Sequence, residues 1–107
     1  MIKILNKFIP LKGFSAMTVY PFVFIRKGEK FTNVTERHEM IHAEQQKEML
    51  LVFFYLWYLF EFVVRLIQYR NRNVAYKNIS FEREAYDNER NTAYLKNRKR
   101  YSFISYL

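Results

Sequence analysis

From Glu29 to Leu107 the chain contains neither glycine nor proline. The four residues of those types, Pro10, Gly13, Pro21 and Gly28, all fall in the first quarter. So long a run without backbone breakers predicts helices joined by short polar turns, behind a short extended segment. The expected fold is mainly α: about three helices with a short N-terminal β-strand or hairpin. With 107 residues the chain reads as a single domain, 1–107, around one modest core. Half of the residues are apolar and a fifth are aromatic, too hydrophobic for a disordered chain. Cysteine is absent, so disulfides and thiolate metal sites are excluded. The net charge of +8 favours anionic partners without choosing among phosphate, nucleic acid and lipid.

Thr18 to Ile25 is rich in β-branched and aromatic residues and reads as a strand, with Pro21 best placed on an edge. Lys27-Gly28-Glu29-Lys30 reads as a turn. Asn33 or Thr35 is placed to cap the next helix, and Asn33 with Glu36 has capping-box spacing. Met49 to Ile67 is apolar except for Glu61 and Arg65. Asn71-Arg72-Asn73 is the best turn signal in the second half, and a last helix is expected from about Val74 to Arg98-Lys99-Arg100. The tail, Tyr101 to Leu107, alternates apolar and polar residues and is expected to dock as a short extended segment. In Met1 to Leu11, Lys3 and Lys7 interrupt the apolar residues and no small-residue cleavage site follows. No signal peptide is read there, and a cytoplasmic or membrane-associated location is expected.

His38-Glu39-Met40-Ile41-His42 is H-E-x-x-H, and its two histidines are the only ones in the chain. Residues four apart share one helical face, so both imidazoles can reach one zinc ion. Glu39, offset by one residue, is placed for general-base work on water at the ion. Two half-buried structural histidines are the plainer alternative. A third ligand must be a carboxylate, and Glu82 and Glu84 are the candidates. They lie two apart on a helix, so only one can serve. Glu82 shares a face with Ile79, Ala85, Tyr86, Glu89 and Ala93, whereas Glu84 shares one with Lys77, Ser80, Asp87, Asn88 and Asn91. Glu82 is therefore assigned as ligand and Glu84 to the surface. A salt bridge from Glu82 to Arg37 or Arg65 is the competing role.

H-E-x-x-H followed on a later helix by Glu82-Arg83-Glu84-Ala85 resembles the gluzincin metallopeptidases. The pattern looks most like their membrane-associated branch, the HtpX-like and prenyl-protein proteases, where the downstream motif reads E-x-x-A-D. Tyr86 stands here where that branch has the Asp that supports its site. The two motifs also resemble small bacterial and phage proteins with a zincin-like core. The resemblance covers about Asn33 to Ala93 and is specific only at the two motifs. It implies a zincin-like core, a zinc cofactor and a peptide or protein substrate.

Reach constrains the architecture. In an unbroken helix from Thr35 to Arg70, His42 would lie about 40 Å from the far end, and a last helix folding back would carry Glu82 only about 12–15 Å along it. The metal reading therefore demands a chain reversal between Met49 and Phe53. Met49 to Ile67 is also about the length that spans a bilayer, although Glu61 and Arg65 would each cost about 2.5–3.5 kcal/mol at its centre. A true span puts His42 and Glu82 on opposite sides, so spanning and metal binding within one chain exclude each other. A buried or membrane-contacting helix leaves Glu61 and Arg65 as an internal pair, or Glu61 orienting a ligand histidine.

Gln45, on the histidine face, either orients a ligand or satisfies a buried backbone group. Tyr86 or Tyr76 is a candidate oxyanion donor. The basic run Lys96 to Arg100, beside Tyr101 and Phe103, is either a solvated helix end or an anion contact. No nucleic-acid-binding signature is present. The function expected is a zinc-dependent, metallopeptidase-like hydrolase of peptide or amide bonds. Its rivals are a non-catalytic structural or interaction protein with the same core, and a small single-span membrane protein in which H-E-x-x-H is incidental.

Overall fold

The computed structural model describes residues 1–107. It is mainly helical, with a small three-stranded sheet at the N-terminus. The strands are β1 (Ile2–Asn6), β2 (Ala16–Val19) and β3 (Phe22–Arg26), in the order β1-β3-β2. β2 and β3 form an antiparallel hairpin in which Thr18 faces Val23. The expected single strand Thr18–Ile25 is thus two strands. Pro21 lies in the turn between them, where its missing N–H costs no ladder bond. β1 runs parallel to β3, Ile2 opposite Phe22. The segment from Lys7 to Ser15 crosses the end of β3 to its other edge, so that Lys27 N–H donates to Asn6 C=O and Arg26 N–H to Ser15 C=O. Gly28 takes a positive φ of 88° in the turn that leaves β3.

α1 (Asn33–Glu48) is capped by Thr32, whose Oγ1 accepts from the Thr35 backbone N–H at 3.2 Å. Neither Asn33 nor Thr35 is the cap, and Glu36 reaches out to Lys3 at 2.9 Å instead of closing a capping box. α1 buries a polar face that includes both histidines, Glu39, Gln45 and Gln46.

The chain turns at Met49–Leu51, and the first turns of α2 (Val52–Tyr69) reach the histidine helix and the segment of Glu82, with Phe54 against His42 and Tyr58 on Glu82. Leu51 N–H donates to Gln46 C=O at 2.8 Å and Leu50 N–H to Lys47 C=O at 3.4 Å. This is the Schellman pattern, with Leu50 at φ 53° where glycine is usual. No glycine marks the turn: two hydrogen bonds close it over two consecutive leucines of positive φ, Leu50 at 53° and Leu51 at 59°.

The expected long last helix is three pieces: α3 (Arg72–Lys77), α4 (Ser80–Asn88) and α5 (Tyr94–Asn97). Side chains make the breaks. The Asn71 side chain caps α3 by accepting from Val74 N–H. Glu61, from α2, accepts from Ser80 N–H at 2.9 Å and from Ser80 Oγ, which anchors the start of α4. Asn91 accepts from Ala93 N–H in the turn before α5. The tail is a 3-10 turn, Ser102–Tyr106, rather than an extended segment. It inserts Phe103 into the apolar core with Phe54, Ile79 and Phe81.

Glu84 is fully buried, which corrects its assignment to the surface. Its carboxylate meets Arg98 at 2.5 Å and accepts from Gln45 and Tyr94, while Arg98 also pairs with Glu48 at 2.9 Å. The amphipathic pattern of α4 hid this because α4 is covered on both sides. One of the cations of the basic run is therefore an internal tie between α1, α4 and α5, although Lys96, Lys99 and Arg100 remain exposed.

Candidate metal centre

The reversal brings α4 beside α1, and His38, His42 and Glu82 converge in the gap. His42 Nε2 lies 3.2 Å from His38 Nε2 and 3.0 Å from Glu82 Oε1, and His38 Nε2 lies 3.2 Å from the same oxygen. All three side chains are buried, and the three atoms form a group that could hold a metal ion.

Each of these atoms is fixed by a partner on its far side. His38 Nδ1 lies 2.7 Å from Glu89 Oε2, and His42 Nδ1 lies 2.7 Å from Gln45 Oε1. Those oxygens accept, so each ring carries a proton on Nδ1 and turns Nε2 toward the common point. Tyr58 donates to Glu82 Oε2 at 2.8 Å, which leaves Oε1 to face the imidazoles. Burial pushes the Tyr58 hydroxyl upward in pKa, and the Glu82 charge pushes it further, so it stays a donor.

The buried carboxylate and imidazole stabilise each other's charged forms. Burial opposes charge on His42, yet the adjacent Glu82 carboxylate outweighs it and pushes His42 up to about 9. Burial likewise opposes charge on Glu82, but His42 and His38 hold it well below the usual carboxylate range.

Glu39 sits beside this group with its Oε1 accepting from Thr18 Oγ1 of β2 at 2.7 Å. A cleft of about 270 Å³ reaches Glu39, His42 and Glu82, and Phe14, Tyr55 and Tyr76 are among its walls. The ring of Tyr86 packs edge-on against His38, centroids 4.6 Å apart.

Gln45 combines both of its expected roles. Its oxygen accepts a hydrogen bond from His42 Nδ1, and its amide donates to Phe81 C=O at 3.1 Å. Glu61 does not orient a histidine. Ser80 and the Trp57 N–H occupy its oxygens, and Arg65 stands 3.9 Å away. Nor does Glu82 pair with Arg37 or Arg65; the Arg37 guanidinium donates to Glu89 C=O.

Three site residues escaped sequence reasoning. Glu89 was visible as a neighbour on the Glu82 face, but nothing local gave it a task. Tyr58 and Thr18 come from other elements, and only the fold brings them to Glu82 and Glu39.

No protein-family model matches the chain, and no curated protein or solved structure matches it.

Proposed function

We propose that the chain is a small zinc-dependent hydrolase of the metallopeptidase type, with His38, His42 and Glu82 holding the ion and Glu39 as general base. One observation carries this reading. Two imidazole nitrogens, each with its far ring nitrogen tied to an oxygen acceptor, meet one carboxylate oxygen at 3.0–3.2 Å. Tetrahedral zinc, with bonds of about 2.0–2.1 Å, holds its ligand atoms about 3.3–3.4 Å apart, so the triangle needs to open only slightly. Two histidines and a carboxylate without sulfur suit zinc, and three protein ligands leave a position for chemistry.

Bound there, zinc would supply Lewis acidity toward water and toward a carbonyl oxygen. The chain's own groups would do the rest. Thr18 holds one Glu39 oxygen, which leaves the other to take a proton within the cleft. Tyr76 lines the same cleft, and burial and the nearby Glu82 charge keep its hydroxyl protonated as a donor. β2 is an edge strand, but Gln46 and Tyr55 occupy the Thr18 carbonyl, so an extended peptide has only the Ala16 end of that edge to pair with.

Elemental analysis of protein purified without chelator is expected to give one zinc per chain, lost in His38→Ala and in His42→Ala. Glu39→Gln is expected to keep the zinc and lower cleavage of quenched fluorescent peptides by about 10²–10⁴-fold. Metal-free protein of ordinary stability would sink the metal site. Retained zinc with no cleavage by the native chain would leave a structural metal instead.

A further inference from the structure

α2 is built inside out. Its charged residues face the protein: Glu61 is buried against Ser80, and the Arg65 side chain is only 18% exposed. Its opposite face carries no hydrogen-bonding side chain. Val52, Phe53, Leu56, Leu59, Phe60, Val63, Val64 and Ile67 fall within one arc of about 140° at 100° per residue. Every one of them is exposed, from 42% at Val64 to 72% at Ile67. At about 25 cal/mol per Å² of apolar surface, a folded chain does not leave such a stripe in water unless something covers it.

We infer that this face of α2 docks on an anionic lipid bilayer, with the helix lying in the plane of the interface. Charge selects the occupant. Across α2 and α3 the only carboxylate is Glu61, and it is buried. Arg70, Arg72 and Lys77 of the same stretch are exposed. The helix that carries the apolar stripe and the helix packed on it thus expose cations and no acid, the complement of an anionic headgroup layer; the exposed Asp87 lies on α4. A second copy of the chain fits less well. An isologous pair would set that cationic border against itself, and a protein interface carries about one hydrogen bond per 100–200 Å², for which this face has no side-chain partner.

The packing selects the orientation. The inward side of α2 is covered along its length, by Phe81 at Phe54, by Glu82 at Tyr58, by Ser80 at Glu61 and by α3 beyond. A helix crossing the bilayer would draw those elements, with exposed Arg72, Lys77 and Asp87, into hydrocarbon. A helix lying flat buries only its free face. Tyr55 of α2 lines the metal-site cleft together with Leu11, which is 76% exposed, so the cleft would open beside the lipid surface.

The test is flotation of the full chain with vesicles of phosphatidylcholine alone and of phosphatidylcholine with phosphatidylserine. Binding to the mixed vesicles is expected, weakened by salt and much weaker on phosphatidylcholine alone. The double substitution Leu56→Asp, Ile67→Asp lies on the exposed face, so the fold should persist by circular dichroism while binding drops by about tenfold or more. His38→Ala should bind vesicles as the native chain does, which separates docking from the metal reading. No vesicle binding by the native chain would overturn the inference. So would a dimer in vesicle-free buffer that the double substitution dissociates, because a second copy would then cover the face. The chain lacks cysteine, so single cysteine labels can be placed at Val52 and Ile67. Equal quenching by shallow nitroxide lipids is expected, and widely different depths would overturn the in-plane orientation.

Discussion

At the residue scale the proposed centre would depend on the groups that orient its ligands as much as on the ligands. Glu89 lies 2.7 Å from His38 Nδ1 and only 17% of its side chain is exposed, so it fixes both the tautomer and the ring orientation. Its loss would free the His38 ring without removing a ligand. Glu89→Ala is expected to weaken zinc binding by about 10–100-fold in competition with a chromophoric chelator. Glu82→Gln should weaken it more, because a ligand oxygen loses its charge. Glu84→Gln should leave zinc affinity nearly unchanged and lower stability, since it breaks the pair with Arg98. Equal zinc loss in the Glu84 and Glu82 variants would contradict the assignment of ligands. The histidine pair was legible because a spacing of four on a helix is a local property. Glu84 was misplaced because a helical wheel with one apolar side suggests one buried side, whereas Gln45 and Arg98 cover the other.

At the scale of elements, the turn between α1 and α2 decides whether the site exists. Its position followed from reach alone: Glu82 cannot meet His42 unless the chain doubles back near Met49 to Phe53. Its residues gave no sign, since both of its positive-φ places are filled by leucines, Leu50 and Leu51, and not by glycine. The breaks between α3, α4 and α5 were hidden for a related reason. Glu61 and Asn91 make them with side-chain hydrogen bonds, and neither break contains glycine or proline. β1 was missed because parallel pairing with β3 is a long-range contact without a turn of its own. A non-glycine residue in the left-handed region costs of order 1–2 kcal/mol, partly offset in glycine by its greater chain entropy. Leu50→Gly is therefore expected to stabilise the fold by up to about 1 kcal/mol, read as a higher urea midpoint at unchanged m-value. Destabilisation would show that the exposed Leu50 side chain makes contacts worth more than the backbone strain.

For the whole molecule, the His38–His42–Glu82 group and the Arg98 cluster are two ties between α1 and the C-terminal half, bridged by Gln45. The first joins His38 and His42 to Glu82, and the second joins Glu48 to Glu84 through Arg98. Glu61 adds a third anchor by holding the start of α4 from α2. Two of these ties need no ion, and so does the aromatic core of Phe54, Phe81 and Phe103. The metal-free chain should therefore remain cooperatively folded, unlike small domains whose zinc is their only core. Zinc should then act as a ligand of the native state. At a free concentration about 100 times its Kd it contributes roughly 2.7 kcal/mol, provided the unfolded chain binds little. For a domain of this size that corresponds to a rise in Tm of roughly 10–20 °C. Thermal unfolding followed by circular dichroism, with chelator and then with graded zinc, measures it. The rise should be absent in His42→Ala, which removes a ligand and leaves Arg98 and Glu61 in place. An identical rise in that variant would mean that zinc binds elsewhere, and collapse of the native chain in chelator would mean that the two ion-free ties do not hold the fold on their own.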